Sequence, residues 1–99
     1  MRIMLRIRVG TKSGSEAIAS GTLPKTMETL IAELRPEASY FFPDRGRRSA
    51  LFVFDMADPS QLPAISEPLF ANLDAEVYVT PVMNLDDLTR GLKQLASTT

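Results

Sequence analysis

The side chains of this sequence that could carry chemistry are arginines, tyrosines and glutamates, because its 99 residues include no histidine, cysteine or tryptophan. Arg6 and Arg8 could bind a carboxylate or enolate oxygen, since a guanidinium is a planar fork of donors. Tyr40 and Tyr78 carry phenols that could donate protons, and Glu76 could act as a base. The missing residue types exclude a Ser-His-Asp triad, a cysteine nucleophile and histidine-ligated metals.

The two arginines stand in the opening segment MRIMLRIRV, where apolar and polar residues alternate. This period of two predicts a β-strand with Arg6 and Arg8 together on its polar face. Arg2 lies near the end of this strand, so we expect it to be solvated. Two interpretations of Arg6 and Arg8 stay open. They could form an ion pair with Glu76 on a neighbouring strand, or they could bind an anionic ligand.

Length, charge and composition narrow the class of protein. The length predicts a single domain that spans residues 1–99. The formal net charge of −1 argues against a nucleic-acid partner, and no apolar run is long enough for a membrane span. The sequence shows no signal-peptide pattern, so we expect the protein in the cytoplasm. It also lacks a cluster of three or four metal ligands and a phosphate-binding loop, so we expect no metal and no other cofactor.

Periodicity and capping patterns predict four strands, two main helices and a short last helix. After the first strand, a short helical piece in 11–23 precedes a helix that Thr22 caps and that ends near Arg35. Asp58 with Gln61, and later Asn84 with Asp87, form capping-box patterns at the starts of two further helices. The strands are predicted at residues 1–9, 37–43, 48–56 and 74–82.

The order of these elements predicts an α+β, ferredoxin-like βαββαβ domain with an extra C-terminal helix. Its four-stranded antiparallel sheet would have the order 4-1-3-2, with the main helices on one face. The other face would mix Arg6, Arg8 and Glu76 with apolar side chains. The third strand is apolar on both sides, so Phe52 could lie on either face. A mixed apolar face of this kind is typical of an interface or a binding site.

In length, element order and the mixed apolar sheet face, the sequence resembles the dimeric α/β-barrel superfamily. Over nearly the whole chain it is similar to a small bacterial family of unknown activity within that superfamily. The stretches that carry this resemblance are GTLPK (21–25), RPEASYFF (35–42), FDMADPSQLP (54–63), SEP (66–68) and TPVM (80–83). In that superfamily two ferredoxin-like chains pack sheet to sheet, and its members include muconolactone isomerases and antibiotic-biosynthesis monooxygenases. The resemblance therefore implies a homodimer. The haem-degrading and chlorite-dismuting relatives use a histidine ligand, which this chain lacks.

The first functional hypothesis is a small-molecule binding protein or a cofactor-independent isomerase or monooxygenase. A small, partly aromatic or carboxylated ligand would lie in a cleft between sheet and helices. The catalytic candidates would be Tyr78, Glu76 and Tyr40. The alternative is a non-catalytic dimerisation or ligand-sensing module in which the polar residues only fix strand register. The ligand-binding candidates of the first hypothesis are Arg6, Arg8, Tyr40, Phe52, Glu76 and Tyr78.

Overall fold

A computed structural model describes residues 1–98 and shows an α+β architecture, as the sequence predicts. A 3₁₀ turn, Pro59–Gln61, leads into the third helix. The strands are β1 (Arg2–Arg8), β2 (Ala38–Asp44), β3 (Arg47–Asp55) and β4 (Glu76–Pro81). The helices are α1 (Thr11–Ser20), α2 (Thr22–Leu34), α3 (Leu62–Leu73) and α4 (Leu85–Thr98).

The four strands form one antiparallel sheet with the order β2-β3-β1-β4. Strand β1 is an inner strand, and its alternation separates the two faces of the sheet. Ile3, Leu5 and Ile7 are buried on the side that we call the helix face. The intervening residues of β1 are half-buried on the other side, which we call the open face. This arrangement is compatible with a ferredoxin-like fold.

The hydrophobic core lies between the helix face and helices α1 to α3. Leu5 and Phe52 are fully buried directly across from each other on β1 and β3. From the other layer, α3 contributes Leu69 and Leu73, which are also fully buried. Burial of each such side chain stabilises the folded state by roughly 1.5–3 kcal/mol relative to leaving it exposed to water. This core fixes the register of β1 and therefore places the β1 arginines on the open face.

The segment before α2 is helical, as the sequence predicts, but the cap of α2 differs from the prediction. Helix α1 has ten residues, and Gly14 and Ala17 are its buried residues. Gly21, with φ 80° and ψ 1°, both ends α1 and caps α2, so Thr22 is the first residue of α2 and not its cap. The left-handed backbone at this junction is strained for residues that carry a Cβ, which explains a glycine here.

Both predicted capping boxes are confirmed. The Asp58 carboxylate accepts from the Ser60 N–H, and the Gln61 side chain accepts from the Asp58 N–H. At α4, Asn84 Oδ1 accepts from the Asp87 N–H at 2.8 Å, and Asp87 Oδ2 accepts from the Asn84 N–H at 3.1 Å. These reciprocal bonds satisfy N–H groups that the first turn of a helix leaves without a partner.

Candidate functional site

The candidate site on the open face consists of two rows of side chains that run across the sheet. The strand register places Tyr40, Leu51, Arg6 and Tyr78 in one row, from β2 through β3 and β1 to β4. Strands lie about 4.8 Å apart, so Tyr40 and Arg6 are separated by roughly 10 Å at the backbone. The neighbouring row consists of Phe42, Ser49, Arg8 and Glu76. The open face therefore brings together five of the six predicted site residues.

Arg8 is the structural arginine of this face. Its Nη1 atom lies 3.0 Å from Glu76 Oε2, and its Nε atom lies 3.7 Å from Asp44 Oδ2. The Arg8 side chain is only 13% exposed, so the two carboxylates compensate a largely desolvated charge. The ion pair that the sequence offered as one interpretation is therefore present for Arg8, with Asp44 as a further partner that the sequence analysis did not find.

Arg6 has a different environment from Arg8. Its guanidinium carbon lies 4.9 Å from the centre of the Tyr78 ring, a cation–π contact with the residue across from it on β4. The Arg6 Nε atom is buried and, like Arg8 Nε, has no hydrogen-bond partner among residues 1–98. No carboxylate in this part of the chain forms a salt bridge with Arg6. Arg6 thus has a positive charge that no carboxylate within residues 1–98 neutralises and a donor that those residues leave unpaired.

The tyrosines and Glu76 occupy exposed positions beside the arginines. Tyr40 is well exposed on edge strand β2, and Tyr78 is exposed on edge strand β4. Glu76 and Tyr78 are two residues apart on one strand, so their side chains leave the same face roughly 7 Å apart. A ligand bound at Arg6 would therefore lie within reach of a phenol and a carboxylate.

Phe52 does not belong to this site. It is fully buried on the helix face, where it pairs with Leu5 and makes an edge-to-face contact of 5.9 Å with Phe41. The prediction that Phe52 contacts a ligand together with the arginines is therefore wrong for this chain. The physical reason is register, because Phe52 lies opposite a core residue of β1, whereas its neighbours Leu51 and Val53 lie opposite Arg6 and Met4.

A concave surface does lie between sheet and helices, but it is lined by other residues. This groove, with a volume of about 600 Å³, lies between the hairpin β2–β3 and helices α1 and α2. Its apolar lining includes Ile18 and Phe41, and Arg47 and Arg48 also line it. Arg48 is bound to α1 through the Thr11 carbonyl and the Ser15 hydroxyl. The predicted cleft and the predicted polar residues therefore lie on opposite faces of the sheet.

Arg2 forms a polar cluster apart from Arg6 and Arg8. The sequence pattern predicted a solvated Arg2 side chain and did not identify these partners. The Arg2 Nε atom donates to Glu37 at 2.6 Å and the Nη1 atom donates to Asp87 at 3.1 Å. The hydrogen bond to Glu37 is the main cause that raises the pKa of the Arg2 guanidinium. The pKa of Asp87 lies below its ordinary value, chiefly because of the hydrogen bond from the Asn84 N–H, aided by Arg90 and Arg2. Spacing could not reveal this cluster, since its members are far apart in sequence.

Metal binding and membrane insertion are two further properties on which the described residues bear. No group of three or more acidic, histidine or cysteine side chains in 1–98 is arranged to hold a metal ion. None of the helices in this range combines the length and the apolarity needed to cross a bilayer. Comparison with known proteins adds no assignment, because the chain matches no protein-family model and no curated protein.

Proposed function

We propose that this protein is a homodimeric small-molecule binding protein that holds a carboxylated, partly aromatic ligand on the open face. Arg6 carries the proposal, because its buried Nε has no hydrogen-bond partner and no carboxylate within residues 1–98 pairs with its charge, whereas Arg8 has two carboxylate partners. Buried polar groups are normally paired, so an orphaned donor on a charged side chain is typical of a place where something else binds.

The row that contains Arg6 suggests how such a ligand would lie. The carboxylate would accept hydrogen bonds from the Arg6 guanidinium, which Tyr78 holds in place. The apolar part would cover the half-buried Leu51 and extend towards Tyr40, across two strand spacings or roughly 10 Å. That distance suits a molecule with one aromatic ring.

A homodimer in which two open faces meet would complete the site. Met4, Leu51 and Val53 are only half-buried in one chain, and a second copy would remove them from water. Excluding water would also strengthen the attraction between Arg6 and an anion, because the local dielectric constant falls. The resemblance to the dimeric α/β-barrel superfamily supports this arrangement, in which the two sheets pack against each other.

Catalysis would use the same face if the protein is a cofactor-independent isomerase or monooxygenase. Tyr78 and Tyr40 would be the proton donors, and Glu76 the base. Glu76 is already engaged in an ion pair with Arg8. The binding role does not require proton transfer, and for that reason we place binding before catalysis.

The second candidate function is a non-catalytic dimerisation or ligand-sensing module. The Arg8 cluster favours it, because Glu76 and Asp44 already neutralise the guanidinium charge and link β4 and β2 to β1. In this case the open face would serve only to pair two chains in one register. The two candidates differ in whether Arg6 has a ligand.

Binding of benzoate and phenylacetate, monitored by amide chemical shifts, would test the proposed function. Benzyl alcohol has the ring without the charge and serves as the ligand control. Arg47, an exposed arginine on β3, provides the matched protein control. We expect Arg6→Gln to weaken carboxylate binding by about 10-fold or more, whereas Arg47→Gln should leave it unchanged. If Arg6→Gln and Arg47→Gln bind the carboxylates equally well, or if the wild-type dimer does not bind them, the dimerisation or ligand-sensing module is the better assignment.

A further inference from the structure

Helix α4 carries a row of leucines that its own domain leaves exposed. Leu85, Leu88 and Leu92 are 75%, 41% and 55% exposed, and Leu95 continues the row. Isolated exposed leucines are ordinary on a protein surface, but a continuous apolar row is typical of an interface. The molecule is also elongated, measuring 57 × 28 × 18 Å, in keeping with a helix of about 21 Å that lies off the main body.

The spacing and the charges of α4 indicate what kind of partner suits this row. The leucines follow each other at intervals of three, four and three residues, the heptad spacing of helices that pack against protein. The polar side carries two acidic residues, Asp86 and Asp87, and two basic ones, Arg90 and Lys93. A helix that binds an anionic membrane surface normally has a basic excess, which α4 lacks. A protein surface is therefore the better partner.

The start of α4 connects the leucine row to the open face. Arg2 belongs to the same side of β1 as Arg6 and Arg8, and it binds Asp87 in the first turn of α4. The Val82 N–H also donates to the Arg2 carbonyl, so the link between β4 and α4 stays at the end of β1. Helix α4 thus begins beside the open face, and a second copy on that face would lie next to it.

We propose that α4 is an arm that packs its leucine row against the open-face side of a second copy of this chain. In a twofold dimer each arm would cover the other copy, so the contact would occur twice. This inference rests on the homodimer of the proposed function, but it does not depend on a ligand at Arg6.

The area that a stable dimer needs supports an interface that combines the two surfaces. A helix face about 21 Å long and 10 Å wide offers roughly 200 Å². An open face of four strands, about 23 Å long on average and spaced about 4.8 Å, offers roughly 440 Å². Stable protein interfaces bury about 800 Å² per partner. Neither surface suffices alone, whereas the two together approach that value.

Dimer dissociation measured by analytical ultracentrifugation tests the arm directly. Leu92→Gln removes one leucine of the row, and Lys93→Gln places the same residue on the polar side of the same helix. We expect Leu92→Gln to raise the dimer dissociation constant by about 10- to 100-fold and Lys93→Gln to leave it nearly unchanged. Circular dichroism would establish that both variants are folded. Equal dimer dissociation constants for the two variants would overturn the proposal that the leucine row of α4 contacts the second copy.

A spin label tests where the arm lies. The chain contains no cysteine, so Lys93→Cys provides a unique attachment point on α4, and Lys12→Cys provides one on α1 as a control. In mixed dimers with an isotope-labelled, label-free copy, the α4 label should broaden β1 and β4 amides of that copy, and the α1 label should not. Broadening confined to α4 of the second copy would overturn the placement. A monomeric wild-type protein would overturn the dimer and the arm together, while carboxylate binding at Arg6 is measured separately.

Discussion

Arg8 and Glu76 lie directly across from each other on β1 and β4, and their Nη1 and Oε2 atoms are 3.0 Å apart. Arg8 also approaches Asp44 from the other side, so one guanidinium serves two carboxylates from two other strands. The ion pair is intermediate between exposed and buried pairs, because Arg8 is 13% exposed and its partners are partly solvated. Its contribution to stability should therefore also be intermediate.

Removal of this charge gives the first prediction. We expect Arg8→Met to lower the free energy of unfolding by about 1–2 kcal/mol, because two neighbouring and only partly solvated carboxylates, Glu76 and Asp44, would lose their shared cation. Arg47→Met, at an exposed position on β3, should change it by less than about 0.5 kcal/mol. Urea denaturation measures both values. Equal losses for the two variants would mean that the Arg8 cluster contributes nothing specific.

The contact between Arg6 and Tyr78 gives the second prediction. The two side chains are neighbours across β1 and β4, with the cation 4.9 Å from the ring centre. A double-mutant cycle with Arg6→Met and Tyr78→Leu should yield a coupling free energy of about 0.5–1 kcal/mol. A parallel cycle that replaces Arg47 in place of Arg6 should yield a value close to zero. No coupling in the first cycle would remove Tyr78 as the group that positions Arg6.

Much of the fold could be predicted from local sequence patterns. The alternation in β1 predicted which residues enter the core, because a strand with Ile3, Leu5 and Ile7 on one side has only one favourable orientation. The capping boxes at Asp58 and Asn84 depend on residues three positions apart, and the structure contains both. Patterns of this kind are short-range, so a single sequence contains all the information they need.

The candidate site was harder to predict, because its contacts depend on register and on distant residues. Strand β3 is apolar on both sides, so the pattern around Phe52 could not indicate its face, which only pairing with β1 decides. Arg2 meets Asp87 from the other end of the chain, and no local pattern marks that contact. Helix α1 contains several poor helix formers in TKSGS, and its packing on the core through Ala17 outweighs that weak propensity.

The backbone at Gly21 gives the third prediction. Nothing lies within 4 Å of a Cβ added there, so Gly21→Ala tests the backbone alone, with its φ of 80°. We expect a loss of about 1 kcal/mol in the free energy of unfolding, because alanine is strained in the left-handed region. Gly91, within α4, also has open space around a Cβ, and Gly91→Ala should stabilise that helix by up to about 1 kcal/mol. Thermal and urea denaturation of the two variants should therefore shift in opposite directions.

The pH dependence of stability gives the fourth prediction. The pKa of Asp87 lies below its ordinary value of 3.8, chiefly because of the Asn84 N–H and also because of Arg90 and Arg2. A carboxylate with a lowered pKa in the folded state stabilises that state fully above its ordinary value, and this stabilisation is lost as the pH falls through the lowered pKa. We therefore expect the free energy of unfolding to fall below about pH 4, with a smaller slope in Asp87→Asn.

Asp86→Asn is the matched control for that experiment. It removes a neighbouring charge from the same first turn of α4, but it leaves the reciprocal hydrogen bonds of Asn84 and Asp87 in place. The control should therefore keep the acid dependence of the wild-type protein. A carboxyl titration of Asp87 followed by NMR gives an independent measurement, and Arg2→Ala should move that pKa upward. If Asp87 titrates at or above its ordinary value, neither its capping bond nor its contact with Arg2 holds α4 at the end of β1 in solution.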